Sequence, residues 1–227
     1  MATAKKMIFR GLKRLPDRRI PLPHLRSPHP RFAVAPTELG FVLDRHEPAV
    51  LTQFIETVEQ RDGVVLDVGA HIGIYSVFAA LSGRDVVAIE PHPENVIRIR
   101  SNIRRNNVTD HVSVHEAAAW DIAGEIGLVE NTDSAQHRIN DQSGGTTNAL
   151  TLDSLVNPSD IGIVKLDVEG VGDRVIAGAE ILIEEGDAIW IVEHHSENER
   201  KQLQQAFGPS YEKFELTNEH WLFKPNK

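Results

Sequence analysis

An acidic residue and two glycines stand at the end of an apolar run in the segment "VVLDVGAHIGIYS", residues 64–76. The run ends at Asp67, and Gly69 and Gly73 follow before apolar residues return at helical spacing. A glycine turn that leads into a helix brings backbone N–H groups and the positive end of the helix dipole close to a ligand. The candidates for this turn are therefore a nucleotide-type cofactor, a phosphate group, or a tight corner that binds nothing.

Two phosphate-binding motifs fail to match the turn. The Walker pattern, Gly followed by four residues and then Gly-Lys-Ser/Thr, does not occur in the sequence. The dinucleotide fingerprint G-x-G-x-x-G lacks its middle glycine, because Ala70, His71 and Ile72 separate Gly69 from Gly73. A pyrophosphate would therefore meet the His71 side chain, which disfavours an NAD-dependent oxidoreductase but leaves it as an alternative.

S-adenosylmethionine fits these residues better because it has no phosphate. A carboxylate at the turn, Asp67, can hold its ammonium group, and a second acid about 20 residues further on can accept both ribose hydroxyls. Glu90 lies 23 residues after Asp67. Small residues around Ala118 leave room for a flat adenine, and the ring of Trp120 can stack on it or pack below it.

Short apolar strands must position these residues, and they alternate with segments of helical spacing. This alternation predicts an α/β fold, a parallel sheet covered by helices on both faces. "YEKFELTNEHWLFKP", residues 211–225, predicts a terminal antiparallel hairpin. The predicted parallel strands lie near 64–68, 85–91, 111–120, 161–170 and 187–195, and the predicted helices near 49–63, 74–83, 93–107, 171–186 and 197–208. Ligands of such sheets bind at the carboxyl ends of the strands, so the residues that follow each strand are expected to converge.

Composition and charge narrow the class of protein. The 227 residues have an ordinary apolar share of 41%, and they include no cysteine, which excludes disulfides and cysteine-based zinc sites. A net charge of −9 argues against general affinity for nucleic acid. No run of 18 or more apolar residues occurs, so the sequence predicts no membrane span and fits a cytoplasmic protein.

The N-terminal segment differs from the rest of the chain. Residues 1–31 contain nine Lys or Arg and one acid, Asp17, and six of the 12 prolines fall between positions 16 and 36. We expect a basic, Pro-rich arm at 1–45 and one folded domain at 46–227. The arm is either a flexible or extended segment, or one that packs over the site or touches an acidic partner.

Several segments together resemble one known family, the FkbM-type methyltransferases. The resemblance covers about residues 48–195 in consistent order, through "VVLDVGAHIGIYS", "VVAIEPHPENVIRIRSNIRRNN", "EAAAWD", "TLDSLV" with "IVKLDVEG", and "IVEHH". It implies a Rossmann-like, seven-stranded, mostly parallel sheet with an antiparallel last strand. It also implies S-adenosylmethionine as the cofactor and O-methylation of a hydroxyl on a small molecule or sugar. His71 departs from the family, which usually has Asn there.

Residue by residue, the resemblance implies two groups. The cofactor would be lined by Asp67, Gly69, Ala70, Gly73, Glu90 and Ala118, beside His71 and Trp120. Asp167, Glu169 and His194 would face the acceptor, where one of them takes the proton of its hydroxyl.

Three questions stay open at this stage. Lys165 shares a strand face with Asp167 by the two-residue period, so it can neutralise a buried acid instead. Mg²⁺ or Mn²⁺ on Asp167, Glu169, Glu193 and His194 is an alternative that we do not favour. Besides an oxidoreductase, a non-catalytic binding protein on the same fold is the other alternative function, and no oligomeric state is predicted.

Overall fold

The fold is given by a computed structural model that describes residues 18–19, 30–32, 48–129, 138–139, 145–168 and 170–226. The helices are α1 (Pro48–Gln60), α2 (Ile74–Leu81), α3 (Pro93–Arg105), α4 (Leu152–Leu155), α5 (Gly172–Ala177), α6 (Glu180–Glu185) and α7 (Glu197–Phe207). The strands are β1 (Arg18–Arg19), β2 (Arg31–Phe32), β3 (Val64–Val68), β4 (Val86–Glu90), β5 (Val112–Glu116), β6 (Ala118–Ala119), β7 (Gly124–Val129), β8 (Arg138–Ile139), β9 (Gly145–Leu150), β10 (Ile161–Leu166), β11 (Ile189–Glu193), β12 (Tyr211–Glu215) and β13 (His220–Pro225).

A seven-stranded sheet is the centre of the fold, with the strand order β12-β13-β11-β10-β3-β4-β5. The five strands from β11 to β5 run parallel, and β13 pairs antiparallel with both β11 and β12. This confirms the predicted α/β class, the mostly parallel sheet and the antiparallel C-terminal hairpin. The strand order reverses between β3 and β10, which is where a ligand site is expected in such a sheet.

The third predicted strand, 111–120, is wrong in its second half. β5 ends at Glu116, and Ala118 and Ala119 form β6, which pairs with β9 in a separate sheet of order β6-β9-β7-β8. The Ala117 N–H still donates to the Glu90 carbonyl at 3.2 Å, so the chain changes sheets directly beside the end of β4. The small residues after β5 therefore lie next to Glu90.

The single helix predicted at 171–186 is two helices, α5 and α6, which are separated at Gly178. A Cβ atom at Gly178 would lie 2.0 Å from the Trp120 carbonyl oxygen, so only glycine allows the chain to approach this closely. Asp153 then accepts from the N–H groups of Ile181 and Leu182 at 3.0 and 2.9 Å, and it satisfies free donors at the start of α6. Helical spacing cannot reveal this break, because it depends on a distant carbonyl.

Two hydrophobic cores lie on opposite faces of the sheet. One joins α1, α2 and α3 to the face that carries Val65, Ile163 and Ile191. The other joins α4 to α7 to the face that carries Leu66, Val164 and Val192. Neighbouring side chains along a strand point to opposite faces, so each position is assigned to one core or the other.

Phe32 lies within the segment that the sequence assigns to the arm, yet it is 1% exposed and belongs to the first core. Its ring centroid is 6.1 Å from that of Phe78 on α2. The hydrophobic core of the domain therefore includes at least one residue N-terminal to position 46. Within the described segments, no helix combines the length and the apolar character that crossing a membrane requires.

Candidate functional site

The turn between β3 and α2 has a backbone that few side chains tolerate. Gly69 and Gly73 both have φ of 81°, and His71 has φ of 51°, the left-handed region that favours glycine. A Cβ atom at Gly69 would lie 1.8 Å from the Asp167 carbonyl oxygen. The Asp167 N–H also donates to the Val68 carbonyl at 2.9 Å, so the turn is held against the end of β10.

Glu90, at the end of β4, binds this turn directly. One carboxylate oxygen, Oε2, accepts from the His71 backbone N–H at 2.9 Å. The other, Oε1, accepts from the His92 N–H at 3.0 Å and from the Asn95 side-chain amide at 3.1 Å. Glu90 is 4% exposed, and its burial raises the pKa to about 7 although these hydrogen bonds favour the ionised form.

Asp67 is buried in the same region, 1% exposed, at the end of the neighbouring strand β3. Its Oδ2 accepts from both the backbone N–H and the hydroxyl of Ser76 on α2, at 2.9 and 2.5 Å. Burial raises the pKa of Asp67 to about 6, against the opposing effects of Ser76 and the Lys165 charge. The charge of Asp67 in turn raises the pKa of Glu90.

The two acids that the sequence singles out therefore converge on one turn and interact electrostatically. Burial raises the pKa values of both carboxylates, because the hydrogen bonds and positive charges of the protein around them do not fully offset the loss of water. A cationic ligand would relieve this. The arrangement is suited to a molecule that carries positive charge and hydroxyl groups.

A second group of polar side chains lies on the same sheet face, at the ends of β10 and β11. Lys165 is fully buried, and its Nζ is 3.1 Å from Asp167 Oδ2 and 5.1 Å from the centre of the Tyr75 ring. Burial raises the pKa of Asp167, but the charge of Lys165 together with the hydrogen bonds from Glu193 and Lys165 outweighs burial and holds that pKa well below its usual range. The predicted pairing of Lys165 with Asp167 is therefore observed, and Asp167 itself is half-buried.

Glu193, at the end of β11, hydrogen-bonds to Asp167. This hydrogen bond contributes to the lowered pKa of Asp167. His220 of β13 is opposite Glu193, with its Nε2 3.6 Å from Glu193 Oε2. Burial and then the Lys165 charge lower the pKa of His220 to about 3, so its ring is neutral at physiological pH.

His194 is not brought to this group. Its ring faces α7 on the other side of the sheet, where Nδ1 accepts from the Arg200 guanidinium at 3.2 Å. The ring lies 4.4 Å from Trp221, a member of the second core. Burial and then the Arg200 charge lower the pKa of His194. Because adjacent strand residues face opposite ways, Glu193 and not His194 reaches Asp167.

The remaining predicted site residues are Ala118, Trp120 and Glu169, and of these Ala118 lies beside the acids of the turn. Ala118 is buried beside Glu90, as expected from the hydrogen bond at Ala117. Trp120 is half-buried, and its ring lies under the Arg174 guanidinium at 5.7 Å. Glu169 lies outside the described residues. Among the residues that are described, no group of three or more His, Cys, Asp or Glu is placed to hold a metal ion.

Three residues of this candidate site, Ser76, Glu193 and His220, are not assigned to it by the sequence. Ser76 is a single polar residue in the apolar helix segment "IYSVFAAL", and this was an available signal. Glu193 was considered only as a metal ligand, although it ends a strand like Asp67, Glu90 and Asp167. His220 gave no signal, because its place depends on the antiparallel pairing of β13 with β11.

Comparisons with known proteins agree with this architecture. The family model described as "Methyltransferase FkbM domain" matches residues 67–223, which include both acid groups. No curated protein matches the sequence.

Solved structures of methyltransferases share the fold at low sequence identity. The FkbM methyltransferase from Methylobacillus flagellatus KT is 17% identical with a TM-score of 0.53, over 71% of this chain and 43% of that one. The O-methyltransferase from Bacillus cereus in complex with SAH is 16% identical with a TM-score of 0.50, over 86% and 83%. SMU.1697c from Streptococcus mutans, a putative methyltransferase in complex with SAH, is 10% identical with a TM-score of 0.51, over 77% and 97%.

This chain thus spans less than half the length of the FkbM structure it resembles. The likeness to these structures establishes the Rossmann-like fold, and the family model, which covers more than half of the chain, establishes the family. The chain belongs to the FkbM methyltransferase domain family.

Proposed function

We propose that this protein transfers a methyl group from S-adenosylmethionine to a hydroxyl oxygen of a small molecule or sugar. The observation that carries the proposal is the convergence of Asp67 and Glu90 on the Gly69–Gly73 turn, both buried and both with raised pKa values. The FkbM family membership and the SAH-bound state of two methyltransferases of similar fold support the choice of cofactor.

The carboxylates of Asp67 and Glu90 fit S-adenosylmethionine on chemical grounds. Two under-compensated carboxylates favour a ligand that carries a sulfonium and an ammonium group. Asp67 is assigned to the ammonium end and Glu90 to the ribose hydroxyls, because carboxylates accept from both kinds of donor. When bound, this cofactor supplies a methyl group on a positively charged sulfur, which an oxygen nucleophile can attack.

The chain's own residues then have to position the acceptor and take its proton. We assign the proton acceptor to Asp167, whose side chain is 32% exposed and which Lys165 keeps ionised. As the acceptor oxygen takes the methyl group, the S–CH₃ bond would break with its electron pair left on sulfur, and the hydroxyl proton would pass to an Asp167 carboxylate oxygen and on to water. Most of the rate would come from holding the acceptor in line, since the methyl group is already electrophilic. Glu169 stays a candidate for contact with the acceptor, whereas His194 is not assigned to the reaction because it faces α7.

Calorimetric titration with SAH (S-adenosylhomocysteine) tests the cofactor site. We expect saturable binding by the wild-type chain and binding weakened by about tenfold or more in Asp67→Ala and Glu90→Ala, since each removes a charged hydrogen-bond partner. Glu116→Gln is a matched control, because Glu116 pairs with Glu90 in register but is exposed. Wild-type affinity in both acid variants would overturn the assignment.

The same titration with NAD separates the oxidoreductase alternative, which predicts tighter binding of NAD than of SAH. A panel of hydroxylated small molecules and sugars, assayed for SAH release from S-adenosylmethionine, then tests the transfer itself. Saturable SAH binding without release on any acceptor would favour the non-catalytic binding protein.

A further inference from the structure

Glu199 is a buried acid on α7 that the proposed reaction does not use. It is 4% exposed and lies in the first turn of the helix, after the N-cap residue Ser196. Taking a carboxylate out of water is costly unless hydrogen bonds replace those that it made with water. The groups that bind Glu199 therefore indicate which parts of the chain it holds together.

Both oxygens of Glu199 accept from backbone N–H groups, and these groups belong to two different segments. Oε1 accepts from the Gly172 N–H at 3.1 Å, and Oε2 accepts from the His195 N–H at 2.8 Å. Gly172 begins α5 shortly after Asp167, and His195 lies just after Glu193. One carboxylate thus joins the segment that follows β10 to the segment that follows β11.

The segment after β10 is attached at both ends. At its start, the Asp167 N–H donates to the Val68 carbonyl at 2.9 Å. At its end, Gly172 packs so closely against α7 that an added Cβ atom would lie 2.3 Å from Glu199 Oε1. β10 and β11 are neighbouring parallel strands, so their carboxyl ends lie side by side. The Glu199 carboxylate therefore limits how far the segments that follow these two strands can separate.

We propose that Glu199 is a positioning residue for the methyl acceptor: its carboxylate holds the segments after β10 and β11 at the spacing that Asp167 needs to take the acceptor's proton. This inference rests on the proposed function, in which Asp167 is the proton acceptor. Displacing a reacting group by about 1 Å can lower a rate about 100-fold. The cofactor turn contacts the start of the segment after β10, at Asp167, and not its end at Gly172. Loss of the Glu199 carboxylate should therefore affect methyl transfer more than cofactor binding.

The alternative is a role confined to the stability of α7. Ser196 already caps this helix, because its Oγ accepts from the Glu199 N–H at 3.1 Å. The bond from Glu199 to His195 is local as well, but the bond to Gly172 reaches a residue 27 positions away. A capping interaction involves only the first turn of its own helix and the residues just before it. The Gly172 bond therefore goes beyond capping and favours positioning.

Three substitutions in the full chain separate positioning from capping. Glu199→Gln keeps the size of the side chain, but its amide nitrogen cannot accept from an N–H group, so one of the two backbone bonds is lost. Gly172→Ala disturbs the distant bond at a position whose φ lies outside the left-handed region, so no backbone strain is added. Ser196→Ala is the matched control, because it removes the cap of α7 and leaves the Glu199 carboxylate in place.

The measurements are kcat for an acceptor identified in the panel and SAH affinity by calorimetry. We expect kcat to fall about tenfold or more in Glu199→Gln and Gly172→Ala, while the SAH affinity stays within about threefold of wild type. Ser196→Ala should keep kcat within about twofold, although its midpoint of urea denaturation falls. Because Glu199 acts through Asp167, Glu199→Gln should lower kcat by no more than about twofold when it is added to Asp167→Asn.

Three results would overturn the positioning role and leave the proposed function in place. These are wild-type kcat in Glu199→Gln, an equal loss in Ser196→Ala, or an undiminished further loss when Glu199→Gln is added to Asp167→Asn. Should Glu199→Gln fail to fold by circular dichroism, Gly172→Ala decides by the same criteria. No turnover by the wild-type chain on any acceptor would overturn the proposed function and this inference with it.

Discussion

At the scale of single residues, the site is a group of acids whose protonation differs from one to the next. Asp67 and Glu90 have pKa values raised to about 6 and about 7 by burial, whereas Lys165 keeps Asp167 ionised. One lysine faces three carboxyl groups, Asp67, Asp167 and Glu193, on the same sheet face. The protein therefore holds carboxylates at some expense of stability until a cation binds beside them.

Asp67→Asn should stabilise the ligand-free protein at high pH. A raised folded pKa means that the native state binds a proton more tightly than the unfolded chain, so Asp67 lowers stability as pH rises from about 4 to about 6. Asn keeps an oxygen for Ser76 and removes the buried charge. We expect a free energy of unfolding about 1–3 kcal/mol higher than wild type at pH 8 and no difference near pH 4, measured by urea denaturation. A constant difference across this range would contradict the raised pKa.

Asp167 and Glu193 should respond differently to amide substitution. Asp167→Asn removes the proposed proton acceptor, and we expect kcat to fall about 100-fold while the SAH affinity stays within about threefold. Glu193→Gln should keep most of the activity, because the amide N–H of Gln can still donate a hydrogen bond to Asp167. The measurement is kcat for an acceptor identified in the panel, with SAH binding as the check of folding. Equal losses in the two variants would place the proton acceptor on Glu193 or on the pair.

At the scale of elements, the site exists because three strand ends touch. On one side, the turn after β3 donates the His71 N–H to the Glu90 carboxylate at the end of β4. On the other side, it contacts the backbone at the end of β10. Gly69 makes this contact possible, because a side chain at that position would separate β3 from β10. Gly83 provides a reference for this contact, because its φ is 82° and nothing lies within 4 Å of a Cβ atom added there.

Gly69→Ala should be far more damaging than Gly83→Ala. Both glycines have φ near +81°, where an alanine costs about 1–2 kcal/mol. At Gly83 nothing lies within 4 Å of the added Cβ, so only this strain is expected. At Gly69 the Cβ would lie 1.8 Å from the Asp167 carbonyl oxygen. We therefore expect the free energy of unfolding to fall by about 3 kcal/mol or more and SAH binding to be lost. Similar losses of unfolding free energy in the two variants would mean that the contact with β10 is unimportant.

At the scale of the whole molecule, the sheet divides the chain into two cores, and the site occupies the edge of the first. That core extends to Phe32, beyond the domain boundary expected from composition. Phe32 directly follows residues 1–31, which hold nine of the 24 Lys and Arg residues.

Phe32→Ala in the full chain should lower the free energy of unfolding by about 3–5 kcal/mol, because it empties a buried site. Phe214→Ala is the control, since Phe214 is 38% exposed and its loss should change stability by about 1 kcal/mol or less. Denaturant titration of both variants gives the two values. A loss at Phe32 as small as that at Phe214 would show that residues N-terminal to position 46 do not contribute to the core.

The sequence by itself determined the class of fold, the parallel strands, the terminal hairpin and the two acids of the turn. These depend on local periodicity, on glycines at a corner and on the rule that parallel strand ends converge, all of which are visible within short segments. The tertiary structure alone decided the break at Gly178, the transfer of Ala118 to another sheet and the side of the sheet that His194 faces. It also brought Glu193 and His220 to Asp167. Each of these depends on a neighbour distant in sequence, a carbonyl at Trp120 or a strand partner on β9 or β13, and single-chain periodicity does not encode such pairings.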